Sequence, residues 1–150
     1  MELIVRIAVP SDLAELIALD AECFPKGNTD LEPAPAGEIE TGVEDGGVFV
    51  AIADNIVVGM LQLDKISSNE WELLTLAITS SHRSKGVGQA LMERFFVELS
   101  QSPYMVAVSC MTSPSNQAMQ GLLESFGFVQ VGLLEDYFGP GKHRLKFQLN

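Results

Sequence analysis

Apolar residues recur along this chain at two periods, and the switches between them predict its elements. Leu3 to Val9 alternates around Arg6 with the two-residue period of a strand. Pro10, Ser11 and Asp12 then read as a helix start, with Glu15 three positions after Asp12 as in a capping box. Leu13, Leu16, Ile17 and Phe24 share one face of that helix, which should run to about Phe24, while Glu15 and Glu22 lie on the other. Three prolines and two glycines make Pro25 to Gly37 a loop, followed by a short helix over Glu38 to Val43.

Val48 to Ala53 and Ile56 to Leu63 are β-rich runs joined by Asp54 and Asn55, a pair suited to a tight hairpin. Gly59 interrupts the second run and predicts a bulge or a close backbone approach. Trp71 to Thr79 is the next strand, a helix runs on to about Ser100, and Tyr104 to Met111 reads as a strand parallel to the first. Ser115 and Asn116 cap a helix through Ser125, Gly127 stops it in a left-handed turn, and Val129 to Leu134 with Leu145 to Leu149 close the sheet. The expectation is one domain over residues 1–150, a mixed, mostly antiparallel sheet flanked by helices, with one parallel crossover.

The densest signal sits inside that crossover. HRSKGVGQALM, His82 to Met92, follows the apolar run Leu73 to Ile78 and opens a helix whose Val87, Leu91, Phe95 and Leu99 recur at four-residue steps. A helix start leaves about four N–H groups without partners and carries a partial positive charge. Gly86 and Gly88 add no Cβ to keep an anion away, and Arg83 and Lys85 add formal charge at the rim. Taken alone, Arg-x-x-Gly-x-Gly is either an ordinary strand-to-helix turn or a pyrophosphate cradle. It lacks the third glycine of a dinucleotide fingerprint, where Leu91 stands, and the Gly-Lys-Ser/Thr of a P-loop. A plain nucleotide-phosphate binder is a further reading.

Trp71 to Met92 resembles the acetyl-coenzyme A binding motif of the GNAT superfamily of N-acetyltransferases. Asn116, Ala118, Leu122, Gly127 and Phe128 are similar to a second pattern of that family, in which the tyrosine position falls on Leu123. The resemblance extends over nearly the whole chain and implies that fold, with a splay at the parallel strand pair. It implies acetyl-CoA as co-substrate, a primary amine as acceptor (a protein or peptide amine in preference to a small molecule), and direct attack in a ternary complex.

By the same resemblance Arg83, Ser84, Lys85, Gly86, Val87, Gly88, Gln89 and Ala90 hold pyrophosphate. Leu76, Ala77 and Ile78 hold the pantetheine arm, the Leu76 backbone N–H meets the oxyanion, and Asn116 lies beside pantetheine. Glu72 takes the place of the general base, with Glu70 and Asp64 in reserve. Leu123 cannot protonate the leaving thiolate as the family's tyrosine does, so Tyr137 is the candidate donor, water being another. Tyr137 and Phe138 in DYFGPG are similar to a tyrosine pair that N-terminal acetyltransferases use against a peptide. Those enzymes also carry a glutamate that VSCMTSPSN lacks. The Leu123 departure leaves a catalytically impaired acyl-CoA binding module as the alternative.

Bulk numbers fit this picture. The 150 residues are 47% hydrophobic and 19% charged, enough for one core and unlike a disordered chain. Residues 1–80 carry 15 acidic against 3 basic side chains, and residues 81–150 carry 5 against 6. That polarity suits a protonated amine at one end and a polyanion at the other, and disfavours nucleic acid. With no basic leader and no apolar run of about 18 residues, a soluble cytoplasmic protein with no membrane partner is expected, a homodimer being possible as in similar proteins. Cys23 and Cys110 read as reduced, packed thiols, and two isolated histidines, His82 and His143, give no metal site.

Overall fold

A computed structural model of the chain describes residues 2–26 and 33–149. Seven strands form one sheet in the order β1-β2-β3-β4-β5-β7-β6: β1 Leu3–Ile7, β2 Val48–Ala53, β3 Ile56–Ser67, β4 Glu70–Ile78, β5 Ala107–Thr112, β6 Phe128–Leu134 and β7 Arg144–Leu149. Neighbours are antiparallel except β4 and β5, whose parallel pairing encloses the helix α3 Val87–Ser100. The mixed α/β architecture and its single crossover are those expected from the pattern of apolar residues.

Both faces of the sheet are covered, which is why β2 is buried almost throughout and β3 from Val58 to Leu63. Phe49, Leu61, Trp71, Leu73 and Phe147 pack under α3 through Val87, Leu91, Met92 and Phe95. Leu123 of α4, Gln117–Ser125, is fully buried in the same layer. On the other face Val48, Val50, Met60 and Ala77 meet Leu16 and Leu19 of α1, Leu13–Cys23, and Ile39 and Val43 of α2, Glu38–Glu44.

The hairpin between β2 and β3 turns on Asp54 and Asn55, at φ 52° and 64°, the doubly left-handed turn that matches strand twist. Gly59 is both things its position predicts. Register slips between Ala51 and Ile52 opposite it, and a Cβ there would stand 2.8 Å from Val87 Cγ1 and 3.1 Å from Leu91 Cδ1, so its bareness lets α3 lie against β3.

Several boundaries differ from expectation. The Asp12–Glu15 capping box does not form: Asp12 ends a short 3₁₀ turn, and its carboxylate takes the Val9 N–H at 2.8 Å and both Arg6 nitrogens at 2.8 and 3.0 Å. A charged bidentate partner on β1 outcompetes a local cap. β3 runs four residues past Leu63 because β4 continues beside it to Glu70. β5 begins at Ala107 instead of Tyr104, since pairing starts where the Ala107 N–H reaches the Asn69 carbonyl at 2.8 Å, and Tyr104 and Met105 stay exposed. Of the loop expected over Pro25 to Gly37, residues 27–32 lie outside the described residues.

Candidate active site

The site is built where the sheet comes apart. β4 and β5 pair only from Glu70 with Ala107 to Leu73 with Cys110, after which β5 continues against β7. Leu74 is an extra residue in β4, because Gln62 faces Thr75 while Leu63 faces Leu73. Beyond this bulge the Thr79 N–H bonds the Val58 carbonyl at 2.9 Å. Antiparallel alternation then turns the amides of Ala77 and Thr75 toward β3 and those of Leu76 and Ile78 away from it, to the splayed side.

A cavity of about 300 Å³ fills the splay. Its walls bring together Glu72, Leu76, Asn116 and Tyr137, four site residues expected from sequence that lie on β4, at the head of α4 and in the turn before β7. Asn116 caps α4, its Oδ1 accepting the Met119 N–H at 3.1 Å. Tyr137 and Phe138 project from a knitted turn in which Asp136 accepts the Gly141 N–H at 2.8 Å and donates its own N–H to His143 Nδ1 at 3.0 Å. The Arg144 guanidinium lies 4.7 Å over the Phe138 ring. Asp64 and Glu70 do not line this cavity.

Glu72 is half-buried, paired in register with Asp64 on β3 and Ser109 on β5. Burial and then the Asp64 charge push its carboxyl above the usual range, Lys146 pulling the other way. Asp20 and Glu38, which line the same cavity, are also pushed up, both chiefly by burial. Sequence reading missed these two. Asp20 sits on a helix face as any solvated acid would, and only its 4% exposure marks it. Cys110 also touches the cavity, but burial and the nearby Glu72 charge push its thiol up to about 12, which removes it as a nucleophile.

At the far end of β4 the chain turns into α3. Ser84 and Gly86 adopt left-handed φ of 61° and 85°, and the first helical bond is Ala90 N–H to Gly86 carbonyl at 3.0 Å. None of the N–H groups from Ser84 to Gln89 finds an acceptor among the described residues. Gly88 is wedged so closely that a Cβ would meet Ile78 Cδ1 at 3.0 Å and Leu122 Cδ2 at 3.2 Å. Such a run of bare amides fits a diphosphate. Lys85 is exposed at its rim, whereas Arg83 folds back, its Nε donating to the Ile78 carbonyl at 3.1 Å and its Nη2 to Cys23 Sγ at 3.7 Å. Cys23, expected to be packed, is half-buried and donates to the same carbonyl at 3.3 Å.

A splayed parallel pair with a bare helix start beside it defines a class of acyl-CoA-dependent transferases, and the comparisons agree. Residues 13–128 match the family model described as acetyltransferase (GNAT) family, and the chain belongs to that family. Over 97 residues it is 34% identical to N-acetylaspartate synthetase of Danio rerio, covering 64% of this chain. The chain spans only 34% to 39% of the length of the curated relatives it matches.

Among solved structures, Ard1 from Thermoplasma volcanium superposes with a TM-score of 0.84 at 21% identity over 99% of this chain and 97% of its own. Arabidopsis thaliana Naa50, in complex with the bisubstrate analogue CoA-Ac-MVNAL, gives 0.84 at 16% identity over 100% and 99%. Among the described residues no helix is long and apolar enough to cross a membrane.

Proposed function

We propose that this chain transfers the acetyl group of acetyl-CoA to a primary amine by direct attack inside the splay. The reading rests above all on the unbonded amides from Ser84 to Gln89, one strand length from a half-buried glutamate. Acetyl-CoA supplies an acyl group already activated as a thioester.

In this reading the residues from Arg83 to Ala90 hold the pyrophosphate through main-chain donors, with Lys85 adding charge. Arg83 acts mainly from behind, fixing the loop to the end of β4. Leu76, Ala77 and Ile78 align the pantetheine arm, and the outward Leu76 N–H stabilises negative charge on the acyl oxygen. Asn116 orients the arm from the head of α4.

Glu72 removes the proton from the incoming ammonium, and its raised carboxyl narrows the gap to the amine it must deprotonate. The nitrogen–carbon bond then forms as the carbon–sulfur bond breaks. Tyr137 is the candidate donor to the departing sulfur, because Leu123 is fully buried and outside the cavity.

Calorimetry with CoA, followed by a thiol-release assay with acetyl-CoA and simple primary amines, tests the reading. Binding together with amine-dependent release is the expected outcome. Binding without release from any amine would identify an acyl-CoA binding module, and no heat with CoA would remove the cradle itself.

A further inference from the structure

Two buried acceptor atoms, Asp20 Oδ1 and Gln62 Oε1, lack partners among the described residues. Asp20, 4% exposed, uses Oδ2 to accept the Ala34 N–H at 2.8 Å and leaves Oδ1 unmet. Gln62, 2% exposed, donates Nε2 to the Glu38 carbonyl at 3.1 Å and leaves Oε1 unmet. Asp20 lines the cavity that contains Glu72, and Gln62 lines a second, open groove of about 700 Å³ together with Asp45 and Asp64. Glu38 and Leu74 line both, so cavity and groove adjoin.

An unmet buried acceptor has lost its water without gaining a partner, so both atoms call for N–H donors. A metal ion does not answer that demand: among the described residues no group of three His, Cys, Asp or Glu is placed to hold one. A single ammonium held at Glu72 does not answer it either, since it does not supply a donor to both atoms. Lys65, the cation of the groove, is turned to Glu98 at 2.8 Å and lies 4.6 Å over the Trp71 ring.

We propose that the acceptor is a linear amine with a second cationic nitrogen, the reacting nitrogen at Glu72 and the second held by Asp20 and Glu38, with any further length running past Gln62 and Asp64. The proposal rests on the acetyl-transfer reading above and adds the acceptor class. A longer polyamine would bring several N–H donors along the acidic groove, whereas an acceptor with an added carboxylate, such as aspartate, would meet like charge.

The test compares butylamine, 1,4-diaminobutane, spermidine, aspartate and an uncharged alanine-rich peptide, by thiol release and by calorimetry on the CoA-loaded chain. The diamine should exceed butylamine in kcat/KM by about tenfold or more, because the monoamine leaves the second subsite unpaired. Asp20→Asn and Glu38→Gln should each bring that ratio toward one. Should the buried Asp20→Asn fail to fold, Glu38→Gln, at a half-buried position, carries the same comparison. Equal rates for butylamine and diamine, a ratio unmoved in both variants, or preference for aspartate or the peptide would overturn the subsite while leaving transfer intact. Spermidine that binds, and binds more weakly to the variants, without thiol release from any amine would uphold the subsite and overturn transfer.

Discussion

Glu72 and Leu123 show how one residue's surroundings decide its role. As the proposed general base Glu72 acts only when unprotonated, and burial with the Asp64 charge holds it above the ordinary glutamate value of about 4.3. Activity should therefore fall as pH drops through that raised value, at a higher pH than an exposed glutamate would give. Glu72→Gln should lower kcat by about 10²- to 10⁴-fold and flatten that limb of the pH–rate profile, with CoA affinity kept. Leu123 occupies a position where the resemblance calls for a phenol, yet it has no exposure and packs in the layer under α3 and α4. Leu123→Ala should cost about 2–5 kcal/mol in urea unfolding, a core residue's signature.

At the scale of elements, the site depends on how β4 ends and α3 begins. Gly86 at φ 85° sets the angle at which the chain enters the helix. Gly86→Ala forces a side chain into a left-handed conformation at about 1–2 kcal/mol, and calorimetry should find CoA affinity lowered about tenfold, the factor that 1.4 kcal/mol represents. Much at this scale was legible: the Asp54–Asn55 turn, the Asn116 cap, Gly127 at φ 90° and the 3.6-residue stripe of α3 are local signals with local causes. The starts of β5 and the end of β3 were not, because a strand extends as far as its neighbour pairs with it. The bulge at Leu74 escaped for the same reason, although it decides which amides face the cavity.

Across the whole molecule, three acids of the first half, Asp20, Glu38 and Glu72, come to line one cavity. Asp20, Glu38 and Glu72 hold their protons more tightly in the folded than in the unfolded chain. Their share of stability is complete below the unfolded carboxylate values near about 4 and is lost as pH rises through the raised folded ones. Asp12, lowered by Arg6, behaves oppositely, its share being present at neutral pH and lost as acid brings the pH down through its depressed value. Asp20→Asn should thus melt at a higher temperature than the unsubstituted chain at pH 7, and the gap should close in acid. Thermal scans across pH check both directions.

Hydrophobic periodicity and turn chemistry determined the sheet, its helices, its one crossover and the bare amides at the head of α3, because each is encoded within a few consecutive residues. Glu72, Leu76, Asn116 and Tyr137 could be named from sequence, but their meeting in one cavity depends on β4 and β5 parting after Leu73. Only the tertiary structure brought Asp20 and Glu38 to that cavity and turned Arg83 back onto Ile78. These are long-range matters of burial and approach: a carboxylate in sequence is the same letter in water or under a helix, and the packed chain alone decides which it is.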